Sequence, residues 1–301
     1  MKKSKYIFII LFLICSFLVI FSSIKIDLEQ DKIITNIENK YNDCKINDYE
    51  GAKKEECERF ILIVDNHDFQ LNFYQKFNNI IIWNLQYFNI IASFVLFVVS
   101  LYQITKMFKD RVAVSILLRE EKKEFIKRII KSTYKYILFW VFITILIFIC
   151  SLINTNLYPS DYGYVADIWN IDLLKKPFLF MFYYLINISL ISAFYLNIGL
   201  IISRFKHNYI IAVILSFLTI IAVELFFEIG ISKIFFEDLL KDYSTGILFN
   251  IINMFAFNID EVGGVLNLLL FSFICFIISF IIVIIVYSNK EKFVNDCLEN
   301  N

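Results

Sequence analysis

The chain has 301 residues, of which 59% are hydrophobic, 19% are charged and 34 are Phe. Soluble domains are about 45–50% apolar and about 25% charged. With a mean hydropathy of +0.67, this composition argues against a soluble globular domain and excludes disorder. Two Pro and seven Gly exclude collagen-like and low-complexity classes, and a formal net charge of zero offers no basic field for nucleic acid.

A helix needs roughly 20 mostly apolar residues to cross a hydrocarbon core about 30 Å thick. Six stretches meet that length: about 6–24, 80–103, 134–153, 178–203, 208–229 and 265–287. Each is apolar around its whole circumference, which suits lipid and protein neighbours better than water. The expected fold is therefore all-α: one polytopic transmembrane domain over residues 1–301. The first span begins after MKKSK, as a signal peptide would. No A-x-A-like site follows it, and Phe12-Leu13-Ile14 rather than a small residue precedes Cys15, so an uncleaved helix is expected.

Charge sets the orientation. Residues 1–5 carry three Lys and no acid. The segment 25–79 carries 8 basic and 12 acidic residues, and 105–135 carries 10 basic and 4 acidic. The link 204–207 holds Arg204 and Lys206 without an acid, whereas 154–177 and 230–264 are acidic on balance. A Lys/Arg excess marks short cytoplasmic connections. Both termini are thus expected in the cytoplasm, with 25–79 as an extracytoplasmic segment and 105–133 as a cytoplasmic one. Cys15, Cys150 and Cys275 fall inside spans and Cys297 in the tail. Cys44 and Cys57 are the only pair in the extracytoplasmic segment. In an oxidising compartment they are expected to close a small loop rather than stand as two thiols.

Chemistry-bearing patterns are sparse. The two His, His67 and His207, have no second metal-type ligand at helical spacing, so no zinc pattern and no metal site is expected. Asp65-Asn66-His67-Asp68 reads as a polar turn more readily than as a cation site. Phosphate-cradling loops and nucleophile elbows are missing; neither catalytic residues nor a bound cofactor are expected. Within the spans, Glu224, Glu228 and Asn187 are candidates for a translocation path, since intramembrane acids tend to face a bundle interior or a water-filled route. The competing reading ends the fifth helix at the headgroups with Glu224 and Glu228, and gives Asn187 to interhelical hydrogen bonding.

The strongest local signal is 106–131. A short, largely apolar run to Leu118 leads into the charged turn Arg119-Glu120-Glu121-Lys122-Lys123, then a basic amphipathic start to the third span. A plain reverse turn needs only a few residues. A short helix held against the cytoplasmic face accounts for the extra length. The same pattern also suits a basic surface helix on anionic lipid.

At these residues the chain resembles the membrane permease subunit of the type-2 ATP-binding-cassette exporters. That family has six spans with both ends inside and a short coupling helix between the second and third. Asp110, the Leu117-Leu118 pair, the turn Arg119 to Lys123, and Ile126 with Lys127 and Arg128 sit at similar spacing. The family's usual Gly-Thr and turn Pro are replaced by Val-Ala and Glu-Glu, and its N-terminal amphipathic helix is missing. The resemblance implies a permease in the bacterial plasma membrane that pairs with a second permease subunit, the same or homologous. A cytoplasmic ATP-binding-cassette ATPase would dock on Asp110, Ile116, Leu117, Leu118, Arg119, Glu120, Glu121, Lys122 and Lys123. A peptide, antibiotic or lipid-like substrate would then move through the bilayer. The alternative is a non-transport membrane protein, an immunity, signalling or structural subunit acting through its extracytoplasmic segment.

Overall fold

The computed structural model describes residues 2–47, 49–66, 71–81, 86–109, 115–116, 119, 121–158, 175–242, 257, 259 and 264–288. Helices dominate these residues, and no strand occurs among them. Six helices are long and apolar enough to cross a membrane: Phe8–Ile46, Asn89–Phe108, Lys123–Leu152, Pro177–Phe205, Tyr209–Leu239 and Val265–Val286.

Helix α1 (Lys2–Ile46) is far longer than the expected 6–24. Its 45 residues rise about 67 Å at about 1.5 Å each, roughly twice what the hydrocarbon core needs. The charged stretch 25–46 simply continues the helix out of the apolar zone. A turn with Gly51 at φ +63° then leads into α2 (Ala52–Asn66), which folds back along α1. The short α3 (Phe73–Asn79) opens on a capping box: the Asn72 side chain accepts from Gln75 N, and Gln75 reaches back to Asn72 N.

The second span is α4 (Gln86–Lys109). The third comprises α5 (Lys122–Tyr134), a 3₁₀ turn at Lys135–Ile137 and α6 (Leu138–Leu152). It starts about a dozen residues earlier than expected because the basic amphipathic stretch joins it directly. The fourth is α7 (Pro177–Phe205), with Pro at its first position, where a missing N–H costs nothing. Asn208 caps α8 (Tyr209–Leu225) through Ile210 N and Ile211 N. That helix runs on as a π-helical segment, Phe226–Leu239, ten residues beyond the expected end. Gly264 at φ +124° precedes the last span, α9 (Val265–Val286).

Successive spans alternate in direction. Phe8 meets Tyr136 and Phe139 near the start of α1, and Ser23 donates to the Cys150 carbonyl further along, so α1 and α6 run parallel. The stripe Leu11, Cys15, Val19, Ser22 and Ile26 is buried along α1 at helical spacing. Helix α7 is the hub, packed against α4, α6, α8 and α9. Its Gly199 permits that contact: a Cβ there would lie 2.2 Å from the Phe97 ring and 2.7 Å from Leu101. Small residues let membrane helices approach closely in this way.

Candidate functional site

Two clusters carry the chemistry-bearing residues: a polar layer around α7, and the end of the bundle that holds α5 and the α7–α8 turn, here termed the base.

In the polar layer, α7 makes a side-chain hydrogen bond to each of several neighbours. Ser93 and Ser192 oxygens lie 2.9 Å apart across α4 and α7. Asn89 donates to Tyr184 at 3.4 Å. Ser272 of α9 donates to Asn187 at 2.6 Å. Tyr134 donates to the Asn197 carbonyl oxygen at 2.6 Å, and the Asn197 amide donates to Ser279 at 2.9 Å. Tyr195 donates to Glu224 of α8. The three path candidates therefore differ. Asn187 is fully buried and bonded across the α7–α9 seam. Glu224 is half-buried and held by Tyr195, whereas Glu228 is exposed in the π segment. Each buried amide or carboxylate so placed has a protein partner, which is what a low-dielectric interior demands. Tyr195 was not legible as a partner, since nothing local in sequence links positions 29 apart.

The base is built on an apolar knot. Ile104 and Phe108 of α4, Phe125 and Ile129 of α5, Leu200 of α7, and Val283 and Tyr287 at the end of α9 form one buried cluster. Tyr287 donates to the Leu200 carbonyl at 3.0 Å. Helix α5 thus buries Phe125 and Ile129 one turn apart and turns Lys123, Glu124, Lys127, Arg128 and Lys131 outward. Of the docking candidates, Ile116 is half-buried and packs on this knot. Arg119, Glu121 and Lys123 are exposed. Asp110, Leu117, Leu118 and Glu120 lie outside the described residues, as does the side chain of Lys122.

At the opposite end the disulfide is present: Cys44 and Cys57 join α1 to α2 with their Cα atoms 5.3 Å apart. Lys40 pairs with Glu56 at 3.0 Å, and Tyr41 donates to Asp65 at 2.7 Å. His67 and Asp68 lie outside the described residues. A second feature escaped sequence reading. Lys76 is fully buried, with Nζ 2.6 Å from Asp27 Oδ1 and 2.7 Å from the Ile153 carbonyl. The pair ties α1, α3 and the end of α6 together inside an aromatic cluster of Phe73, Tyr74, Phe77, Phe148 and Phe180. A lone Lys between Tyr74 and Phe77 was the available signal. Cys15, Cys150 and Cys275 are buried free thiols.

No protein-family model matches the chain, and no curated protein or solved structure resembles it significantly.

Proposed function

We propose that this chain is the membrane permease subunit of an ATP-driven exporter in the bacterial plasma membrane, with the base facing the cytoplasm. It pairs with a second permease subunit and is worked by a separate ATPase docked on residues 110–123. The single observation that supports this reading is the knot at the base. Phe125 and Ile129 wedge α5 against α4, α7 and α9, so force applied where 110–123 enters α5 reaches four of the six spans. Packed interfaces of this kind switch between discrete arrangements rather than deforming smoothly. The polar layer supports a related point: its groups are bonded to one another within the chain, so a peptide, antibiotic or lipid-like substrate would move between two copies and not through one.

The test is pull-down of the ATPase by the detergent-solubilised chain. Leu117→Asp should detach the ATPase, because an unpaired carboxylate at an apolar anchor is costly. It should leave the protein monodisperse. Full retention by Leu117→Asp, or no ATPase with the native chain, overturns the reading in favour of a non-transport membrane protein.

A further inference from the structure

Helices α8 and α9 both pack on α7 but leave a groove between them. Its volume is about 430 Å³, within the range of small-molecule sites. Ile198 and Ile202 of α7 form its floor, Thr219 and Val223 of α8 one wall, and Ile278 and Ile282 of α9 the other. At the hairpin end the Phe227 and Phe271 rings meet edge to face at 5.4 Å and close it. From Phe271 to Ile282 it runs eleven residues along α9, about 16 Å, or roughly half the hydrocarbon thickness.

The groove offers nothing to a polar ligand. Among its described lining residues, the Thr219 hydroxyl donates to the Leu215 carbonyl at 2.8 Å, and Ser279 donates to Phe276 at 2.8 Å while accepting from Asn197. Its α9 wall is open laterally, with Ile278 55% and Ile282 41% exposed, so hydrocarbon can enter from the side. Its end toward the base, past Ile202 and Ile282, has the opposite character. Lys206 is exposed one turn beyond Ile202, its N–H bonded to the Ile202 carbonyl at 3.0 Å. Among the described residues the base is cationic: Lys106, Arg119, Lys123, Lys127, Arg128 and Lys131 are exposed there against Glu121 and Glu124.

We propose that this groove takes the acyl chain of an anionic membrane lipid from the leaflet at the base, with the headgroup at Lys206. Hydrocarbon length, lateral access and charge all match that amphiphile. The proposal is independent of the exporter reading and is tested without an ATPase.

The full chain is reconstituted in phosphatidylcholine vesicles with a trace of phosphatidylglycerol carrying a photoactivatable diazirine in its acyl chain. A phosphatidylcholine probe with the same chain is the control. After irradiation, labelled residues are mapped by mass spectrometry. The phosphatidylglycerol probe should label groove positions such as Thr219 and Ile278 about tenfold above the lipid-facing Ile214 and Phe217, a preference of about 1.4 kcal/mol. Thr219→Trp and, on the facing wall, Ile278→Trp should each fill the groove and bring its labelling down to that background. Lys206→Glu should lower labelling by the anionic probe alone. Even labelling over all lipid-facing residues, equal labelling by the two probes, or cross-links from the groove to a second copy of the chain would each overturn the proposal.

Discussion

The α1–α2 hairpin and the bundle around α7 are both helix on helix, yet they are held together differently. Between the hairpin helices run a disulfide, an exposed ion pair and a tyrosine–carboxylate hydrogen bond. Around α7 the seams are made by Gly199, by serine and asparagine pairs, and by edge-to-face rings. The difference follows from the surroundings. Water drives apolar stripes together, so charged residues can face outward and a short helix pair needs only a staple. Lipid is as apolar as Leu, so apolar surface does not tell one seam from another there. Small and polar residues must do so.

The junction between the two regions should show the largest effect. Lys76 is fully buried and the Asp27 side chain is 21% exposed. Lys76→Met removes one partner and leaves the other carboxylate without its cation, which should cost about 3–5 kcal/mol. The double variant Lys76→Met/Asp27→Leu should recover most of that loss. Denaturant unfolding in mixed micelles measures both. A single variant as stable as the parent would show that the hairpin and bundle are not joined through this pair.

Next comes the staple. Cys44→Ser should cost the hairpin about 3 kcal/mol on the chain-entropy account for a loop of about 15 residues. The effect should stay local: amide exchange should rise in 30–64 and remain unchanged in α7. A parallel loss of protection in α7 would mean that the two regions unfold as one. Within the bundle, Gly199→Ala places a Cβ where the Phe97 ring now lies and should cost about 1–3 kcal/mol through overpacking. Thermal melts in detergent read this. An unshifted melt would remove Gly199 as the reason α4 and α7 approach so closely.

The same contrast governs what could be read in advance. Six spans were legible because length and apolar content are one-dimensional quantities. The Cys44–Cys57 pairing was legible because only two cysteines lie in that segment. The helical continuation of α1 through residues 25–46 was not read, although its half-buried positions 34, 37, 41 and 44 recur at helical spacing. The charged residues spread over its exposed positions mask that period. Lys76 with Asp27, and Tyr195 with Glu224, join positions 49 and 29 apart; no local pattern carries such a pairing. Within the candidate docking segment, the inward packing of Ile116 on the knot was also invisible, since its neighbours in the knot come from α4, α5, α7 and α9.

The smallest effects separate the two regions most cleanly, because their sizes are alike and their response to salt is not. Lys40 and Glu56 lie 3.0 Å apart with side chains 48% and 67% exposed. Lys40→Ala should therefore cost about 0.2–1 kcal/mol. Exposed charges are screened within about 10 Å at 0.1 M salt and about 3 Å at 1 M, so the difference from the parent should shrink as salt is added. Ser192, bonded to Ser93 between α4 and α7, is buried and uncharged. Ser192→Ala should cost about 0.6 kcal/mol, the average for interhelical side-chain bonds in a membrane protein. The cost is small because Ser93 can turn its hydroxyl to a carbonyl of its own helix. No ion can screen that loss, so it should be the same at low and high salt. Unfolding of both variants at the two salt concentrations decides the matter. If the Ser192→Ala cost also falls with salt, a charged group contributes to it, and the α4–α7 seam is not held by the neutral serine pair alone.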